Sequence, residues 1–357
     1  DHATSFCSFS TGCSILFLIC CGITYFNDTK KIVMRIAVIG AGFSGLAVSW
    51  NLLNLKNQVV VFDLFLEGAS AIAAGLLHPY VGEEGRRSLF ATEAMQKTEE
   101  LLHIATRSLR EEVFREGIVR VAQNEKQRKT YKNHCVVFRD IIDLGNDHFL
   151  IKSGKTVFCK RYLQGMRLAI AERGGQFITE KIADLEQLKI FDQIVVAAGA
   201  SIRDFPELEQ LKLRFVKGQV LTCEIPIDLQ IERSLVGKGY LATSHNIGIC
   251  HVGATYERHD LTETVDLLNT QNLLFTKASS FYRDIWQLKP IDCSSAIRVM
   301  RQGHYLPVAT KVSNKVWIIT AMGSRGLLYH AYFGEKLAQA IEGVTTLSFQ
   351  ELMYYLK

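Results

Sequence analysis

At 357 residues, 48% apolar and 22% charged, the chain can bury a large core and is too long for a single small module, so two domains are expected. The net charge of +5 is mild but unevenly placed: Arg107 to Arg139 holds nine Lys or Arg against four Glu, as either a phosphate-binding patch or one solvated helix face. Nine scattered cysteines with no CxxC pair and no metal-ligand spacing argue against a disulfide framework and a metal site, and fit a reduced, cytoplasmic protein.

Residues 1 to 33 carry an apolar run from Ile15 to Phe26 that is short for a membrane span and lacks the basic start of a signal peptide. They are read as an N-terminal extension outside the fold, with Met34 as the functional start and a membrane anchor as the rival reading. Ile36 to Asp63 then reads as buried strand, glycine turn, helix and second strand. A helix is predicted over Ala94 to Phe114, and short strands near Cys135 to Phe138 and His148 to Ile151. Lys160 to Arg173 is helical and stops at Gly174 and Gly175. Gln193 to Ala198 is an apolar strand running into Gly199. Several β-like runs follow from Arg214 to Tyr256, then a helical stretch from Val265 to Trp286. Val316 to Ala321 and Tyr332 to Ile341 read as a last strand and helix. No repeat or linker divides the chain, so the domains are expected to interleave. A parallel α/β domain would take residues 34–90, 155–215 and 295–357; a mostly antiparallel α+β domain would take 91–154 and 216–294.

Gly40, Gly42 and Gly45 form GxGxxG between a strand and a helix, the context that gives this motif its meaning. Gly40 permits the tight turn, Gly42 lets the backbone approach a pyrophosphate, and Gly45 lets helix and strand pack closely. The helix start, with Ala41, Phe43 and Ser44, offers N–H groups and a positive dipole end to phosphates. Asp63 ends the second strand, placed to accept from the adenine ribose hydroxyls, and no Arg follows it to receive a 2′-phosphate. The motif alone fits NAD or FAD equally well.

Four further segments settle that choice by resemblance. GASAIAAGLLHPY (Gly68 to Tyr80), VVAAGA (Val195 to Ala200), FVKGQVL (Phe215 to Leu221) and AMGSRGLLYH (Ala321 to His330) occur in the order found in the D-amino-acid oxidase family of flavoenzymes. The resemblance covers nearly all of residues 34 to 357. HVGATYERHDLTE (His251 to Glu263) and GSRGL (Gly323 to Leu327) are most similar to the oxidoreductase half of the bifunctional tRNA methylaminomethyl-thiouridine biosynthesis protein, without its methyltransferase half.

The resemblance implies a Rossmann-like FAD-binding domain interleaved with a mostly antiparallel substrate domain, and non-covalent FAD. Beyond the glycine motif and Asp63, it assigns Ala74, Gly75, Leu76, Gly199, Gly323, Ser324, Arg325, Gly326 and Leu327 to the cofactor. Gly326 and Leu327 would also act in catalysis, through N–H groups aimed at the flavin. Arg298 aligns with the arginine that pairs with a substrate carboxylate. Val299 and Gln302 to His304 depart from the family pattern there, so Arg301 competes for the role, and both arginines could instead make structural ion pairs. His78, His245, His251 and His330 read as packed polar groups rather than as a general base. The implied activity is FAD-dependent oxidation of CH–NH or CH–NH2 groups in an amine bearing a carboxylate on the adjacent carbon. Its substrate is either a modified wobble uridine of tRNA, bound through Arg107 to Arg139, or free glycine or a D-amino acid. The rival from another class is a flavin-binding protein without turnover.

Overall fold

The computed structural model describes residues 33–344; the expectations for residues 1 to 32 and beyond 344 lie outside them. Strand β1 (Arg35–Ile39) leads through the glycine turn into helix α1 (Phe43–Asn54) and parallel strand β2 (Gln58–Phe62). Around this unit a six-stranded sheet forms in the order 308–311, 316–320, 193–196, β1, β2, 176–178. All its pairings are parallel except that of Val308–Lys311 with Val316–Thr320. Its four central strands are apolar on both sides because both faces are covered, whereas the edge strands 176–178 and 308–311 carry polar, exposed residues. Ile36, Val38, Val59 and Val61 pack with α1 and the helix Gly326–Ile341, while Ala37, Ile39, Val60 and Phe62 face a second cluster with Ile202, Phe205 and Leu208.

The second sheet has nine strands, in the order 289–301, 213–224, 249–253, 240–243, 234–236, 114–121, 148–157, 76–77, with 141–145 also paired to 148–157. It is antiparallel apart from the pairing of Ser234–Val236 with Phe114–Val121. Strand Lys289–Arg301 stays in this sheet to its end, where Arg301 pairs with Leu213, so the expected division at residue 295 falls inside a continuous strand.

Four local expectations change. Cys135 to Phe138 is not a strand: its first three residues close the helix Glu125–Val137, started by the Asn124 side chain accepting from the Gln127 N–H and anchored by buried Gln127 and Tyr131. Val136 and Val137 sit on its outer side, 87% and 67% exposed, so β-branching alone misled the reading. The helix expected to reach Phe114 is Ala91–Leu109, closed by Arg110 at φ 59°, and Phe114 begins a strand. The stretch from Val265 to Trp286 is the helix Leu267–Ala278 and a separate 3-10 turn, Arg283–Gln287. The last helix starts at Gly326, six residues earlier than expected.

Candidate active site

At the end of β1, Gly40 adopts φ +106°, and a Cβ there would stand 2.4 Å from the Ala197 carbonyl oxygen, so this turn needs glycine. A Cβ on Gly45 would meet the Gly40 carbonyl oxygen at 1.8 Å, which holds α1 hard against the turn. Gly42 differs: the nearest atom to its added Cβ is the Ser70 hydroxyl oxygen, 3.0 Å away, which also accepts from the Phe43 N–H at 3.2 Å. Gly42 itself has no side chain to cap α1, and Ser70 takes the Phe43 N–H from a neighbouring segment, so the helix's positive dipole end faces the turn where an anion would sit. The Asp63 carboxylate accepts from the Ala41 N–H at 2.5 Å and from the Phe65 N–H, so it closes the turn from β2. These glycines, the helix N-terminus beside them and the acid at the end of β2 fit a dinucleotide.

Gly75, at φ +81°, is held close against the second sheet. A Cβ on it would lie 1.8 Å from the Val157 carbonyl oxygen, and its own carbonyl accepts from the Val157 N–H; Leu76 continues into a pairing with Thr156. Ala74 joins this short strand to the helical turn Ala69–Ile72. Gly199, at φ +55°, opens a 3-10 turn beyond strand Gln193–Val196. Gly323, Ser324 and Arg325 form a 3-10 turn that leads directly into the helix starting at Gly326 and Leu327, whose N-terminus has no side-chain cap.

Arg298 is half-buried on strand Lys289–Arg301. Its Nη2 donates to the Thr255 carbonyl at 2.9 Å and its guanidinium lies 5.8 Å from the Tyr256 ring. Tyr256 donates from its hydroxyl to Met300 Sδ at 3.2 Å, and Met300 bridges to Met322, just before the Gly323 turn. Arg298 therefore belongs to a wall reaching the start of the last helix. Arg301 does not share it: side chains alternate along a strand, and Val299, on Arg301's side, packs in the cluster with Ile202 and Phe205.

Burial lowers His78, His245, His251 and His330 below the ordinary imidazole value. His330 is buried, its Nε2 2.7 Å from the Tyr162 hydroxyl and its Nδ1 beside the Gly326 and Leu327 carbonyls, and burial pushes it down to about 4. His78 is pushed down to about 3 by burial and by Arg120. The Arg107 to Arg139 stretch does not form one basic face. Arg120 is 5% exposed, while Lys126, Arg128 and Lys129 pair with Glu84, Asp147 and Glu125. Arg107 and Arg110 line a separate surface hollow of about 830 Å³ with Trp50, His103 and Arg173.

Residues 35–340 match the family described as DAO, FAD dependent oxidoreductase. The chain belongs to that family. It is an FAD-dependent oxidoreductase, and its architecture is similar to glycine oxidase from Geobacillus kaustophilus (TM-score 0.75, 18% identity, 88% of this chain and 96% of that one). It is also similar to iminodiacetate oxidase from Chelativorans sp. BNC1 (TM-score 0.71, 18% identity, 87% and 95%). A curated relative is the tRNA 5-methylaminomethyl-2-thiouridine biosynthesis bifunctional protein MnmC of Pseudoalteromonas atlantica, 26% identical over 183 residues. That match spans 43% of this chain and only 26% of the relative.

For this FAD dependent oxidoreductase, sequence reasoning missed residues that tertiary contacts bring to the site. Ser70 stands at the mouth of the Gly42 turn; its signal was a hydroxyl opening a helical turn inside the quoted GAS segment. Arg167, from the helix Cys159–Glu172, lies over the Phe65 ring at 4.9 Å, within electrostatic reach of Asp63, with its buried Nε unpartnered. No local pattern links it to an acid more than a hundred positions earlier. Tyr256 was equally silent. Among the described residues no helix is long and apolar enough to cross a membrane, and no group of three or more His, Cys, Asp or Glu is arranged to hold a metal.

Proposed function

We propose that this enzyme oxidises an amine carrying a carboxylate on the adjacent carbon. The observation that carries the reading is Arg298: a half-buried guanidinium, oriented by the Thr255 carbonyl and the Tyr256 ring, with no carboxylate partner among the described residues. A cation withdrawn from water and unpaired within its own fold favours an incoming carboxylate, which a guanidinium receives through two parallel hydrogen bonds. FAD, when bound, accepts the hydride.

The chain's own residues do the positioning. The glycine turn, Asp63 and the α1 N-terminus would hold the adenine dinucleotide end, and the N–H groups at Gly326 and Leu327 would face the charge that develops on reduction. Arg298 would fix the substrate so that its α C–H is oriented for transfer. Loss of hydride from that carbon and a proton from nitrogen leaves an imine; water adds to it, releasing an aldehyde or keto acid and the amine. The histidines take no part as bases, because the neutral amine needs none.

A second reading is favoured by the MnmC match. In it the amine is the carboxymethylaminomethyl group of a tRNA wobble uridine, and the products are glyoxylate and the aminomethyl nucleoside. The test is bleaching of the flavin under anaerobic conditions by glycine, sarcosine, D-alanine and undermodified tRNA. Bleaching by a carboxylate-bearing amine supports the proposal, bleaching by tRNA alone supports the second reading, and a flavin that none of the four reduces overturns both.

A further inference from the structure

Strand Leu213–Glu224 carries a glycine at its middle, Gly218, where the backbone does not call for one, since its φ is not positive. Glycine weakens a strand, and such a position marks the close approach of another group. That group is Arg298. A Cβ on Gly218 would stand 2.4 Å from Arg298 Nη2, 2.9 Å from its Cζ and 3.1 Å from its Nε, so the guanidinium lies across bare backbone. Gly218 pairs with Ala296, and Arg298 reaches back to it along the same face of the sheet.

The neighbours of Gly218 point to the opposite face. Lys217 is 2% exposed; its Nζ donates to the Thr264 carbonyl at 2.6 Å and to Asp260 at 3.2 Å, and stands 3.8 Å from the Glu257 carboxylate. Lys217 and Glu257 also exchange backbone hydrogen bonds at 2.9 and 3.0 Å. The Glu257 carboxylate accepts from the Gln219 side chain at 2.8 Å and from the Thr255 hydroxyl. Thr255 is fixed on Gln219 as well: the Gln219 N–H donates to the Thr255 hydroxyl at 2.8 Å, and the Gln219 carbonyl accepts from the Thr255 N–H at 3.2 Å. The Thr255 carbonyl receives Arg298 at 2.9 Å, which completes a chain of contacts from the buried ammonium on one face to the guanidinium on the other. Releasing a buried ammonium from its carboxylates is costly, so this chain resists loosening.

We propose that Gly218 and the Lys217–Glu257 pair are positioning residues for Arg298: the glycine leaves room for the guanidinium on the strand, and the pair holds the Thr255 carbonyl that orients it. This rests on the amine-oxidation reading, in which Arg298 receives the substrate carboxylate. Arg298 makes no hydrogen bond among the described residues other than that to Thr255, so its remaining N–H donors are left for the carboxylate. Any side chain at position 218 displaces the guanidinium, and affinity for the carboxylate falls while the cofactor stays in place.

The test uses the FAD-loaded full chain and two probes: acetate, followed through the change it makes in flavin absorption, and sarcosine, followed by anaerobic flavin reduction. Gly218→Ala should raise the acetate dissociation constant, and the sarcosine concentration for half-maximal reduction, by about tenfold or more, the scale of a misplaced binding group. Flavin content and melting temperature should stay near those of the parent, because the nearest atoms in the way belong to the tip of a movable side chain. Lys217→Met should shift both probes in the same direction and Lys217→Arg should recover part of the loss; if Lys217→Met does not fold, Glu257→Ala replaces it. Non-additivity separates positioning from packing: in an Arg298→Ala background, Gly218→Ala should weaken acetate binding no further, because the residue it acts through is gone. If Arg298→Ala weakens both probes but Gly218→Ala does not, or if the two effects add in full, this inference fails and the proposed function stands. Loss of flavin or of folding in Gly218→Ala would make it a packing residue and overturn the assignment. If no amine reduces the flavin but acetate binding shows the non-additive losses, the positioning stands and the proposed function falls. If Arg298→Ala changes neither probe, both fall.

Discussion

Gly45 lies so close to Gly40 that a Cβ on it would stand 1.8 Å from the Gly40 carbonyl oxygen, a backbone atom that cannot yield without moving the strand. Gly45→Ala should therefore push α1 off the turn, lowering stability by about 1–3 kcal/mol and weakening FAD retention together. Gly42→Ala meets only the Ser70 hydroxyl, at 3.0 Å. It should melt close to the parent protein while losing most of its flavin. Denaturant titration and the flavin-to-protein ratio separate the two, and equal destabilisation by both would contradict this division of roles.

The flavin should leave the protein intact on acid precipitation. Buried Cys159 has its thiol pushed up to about 12 by burial, far from the reactive thiolate, and no other side chain is placed by a motif for a covalent link. Yellow colour staying with the pellet would refute non-covalent binding.

Arg298→Ala should weaken binding of a carboxylate-bearing amine by about 2–5 kcal/mol, because it removes one partner of a charge-assisted pair, while FAD stays bound. Arg298→Lys should recover part of the loss but not the paired geometry. Arg301→Ala should cost less with sarcosine, since Arg301 leaves the strand on the other face. Unchanged KM in Arg298→Ala would remove this residue from the substrate.

His330 makes stability fall in acid. Its folded value is lowered to about 4 against an ordinary 6.5, so below pH 6.5 the unfolded chain takes up a proton that the folded chain refuses. Stability is thus intact above about pH 6.5 and is lost as pH falls toward 4, with a slope of about 1.4 kcal/mol per pH unit. His78, lowered to about 3, adds to the same slope. Urea titrations from pH 7.5 to 4.5 should show it, and His330→Gln should flatten it; an identical slope in the variant would mean His330 is not the group titrating.

Reversing Lys126 and Lys129 to Glu tests the nucleic-acid reading. Both already pair with surface acids, so the loss in apparent tRNA affinity should be small, with a slightly shallower salt dependence, and free amino-acid turnover should not change. A large loss for tRNA would show that this helix carries phosphate contacts despite its pairing.

The βαβ unit was legible in the sequence because its determinants are local. Apolar runs covered on both faces, a glycine at each place where backbone meets backbone, and an acid at the end of β2 lie within one short stretch, and each leaves a residue-level mark. The family resemblance carried the rest of the architecture by the order of its segments. Cys135 to Phe138 was misread because β-branching is a weak preference, overruled by the Asn124 cap and the burial of Tyr131. The sites of charge lay further out of reach. Whether a basic residue is a surface charge, a paired charge or a buried unpaired one depends on what the fold sets against it. Arg120 and Lys126, in the same basic stretch, end 5% exposed without an acid and paired to Glu84 at the surface, respectively. Only tertiary structure could bring Arg120 and Arg325 to adjacent carbonyls, because burial and pairing are properties of distance in space and not of spacing along the chain.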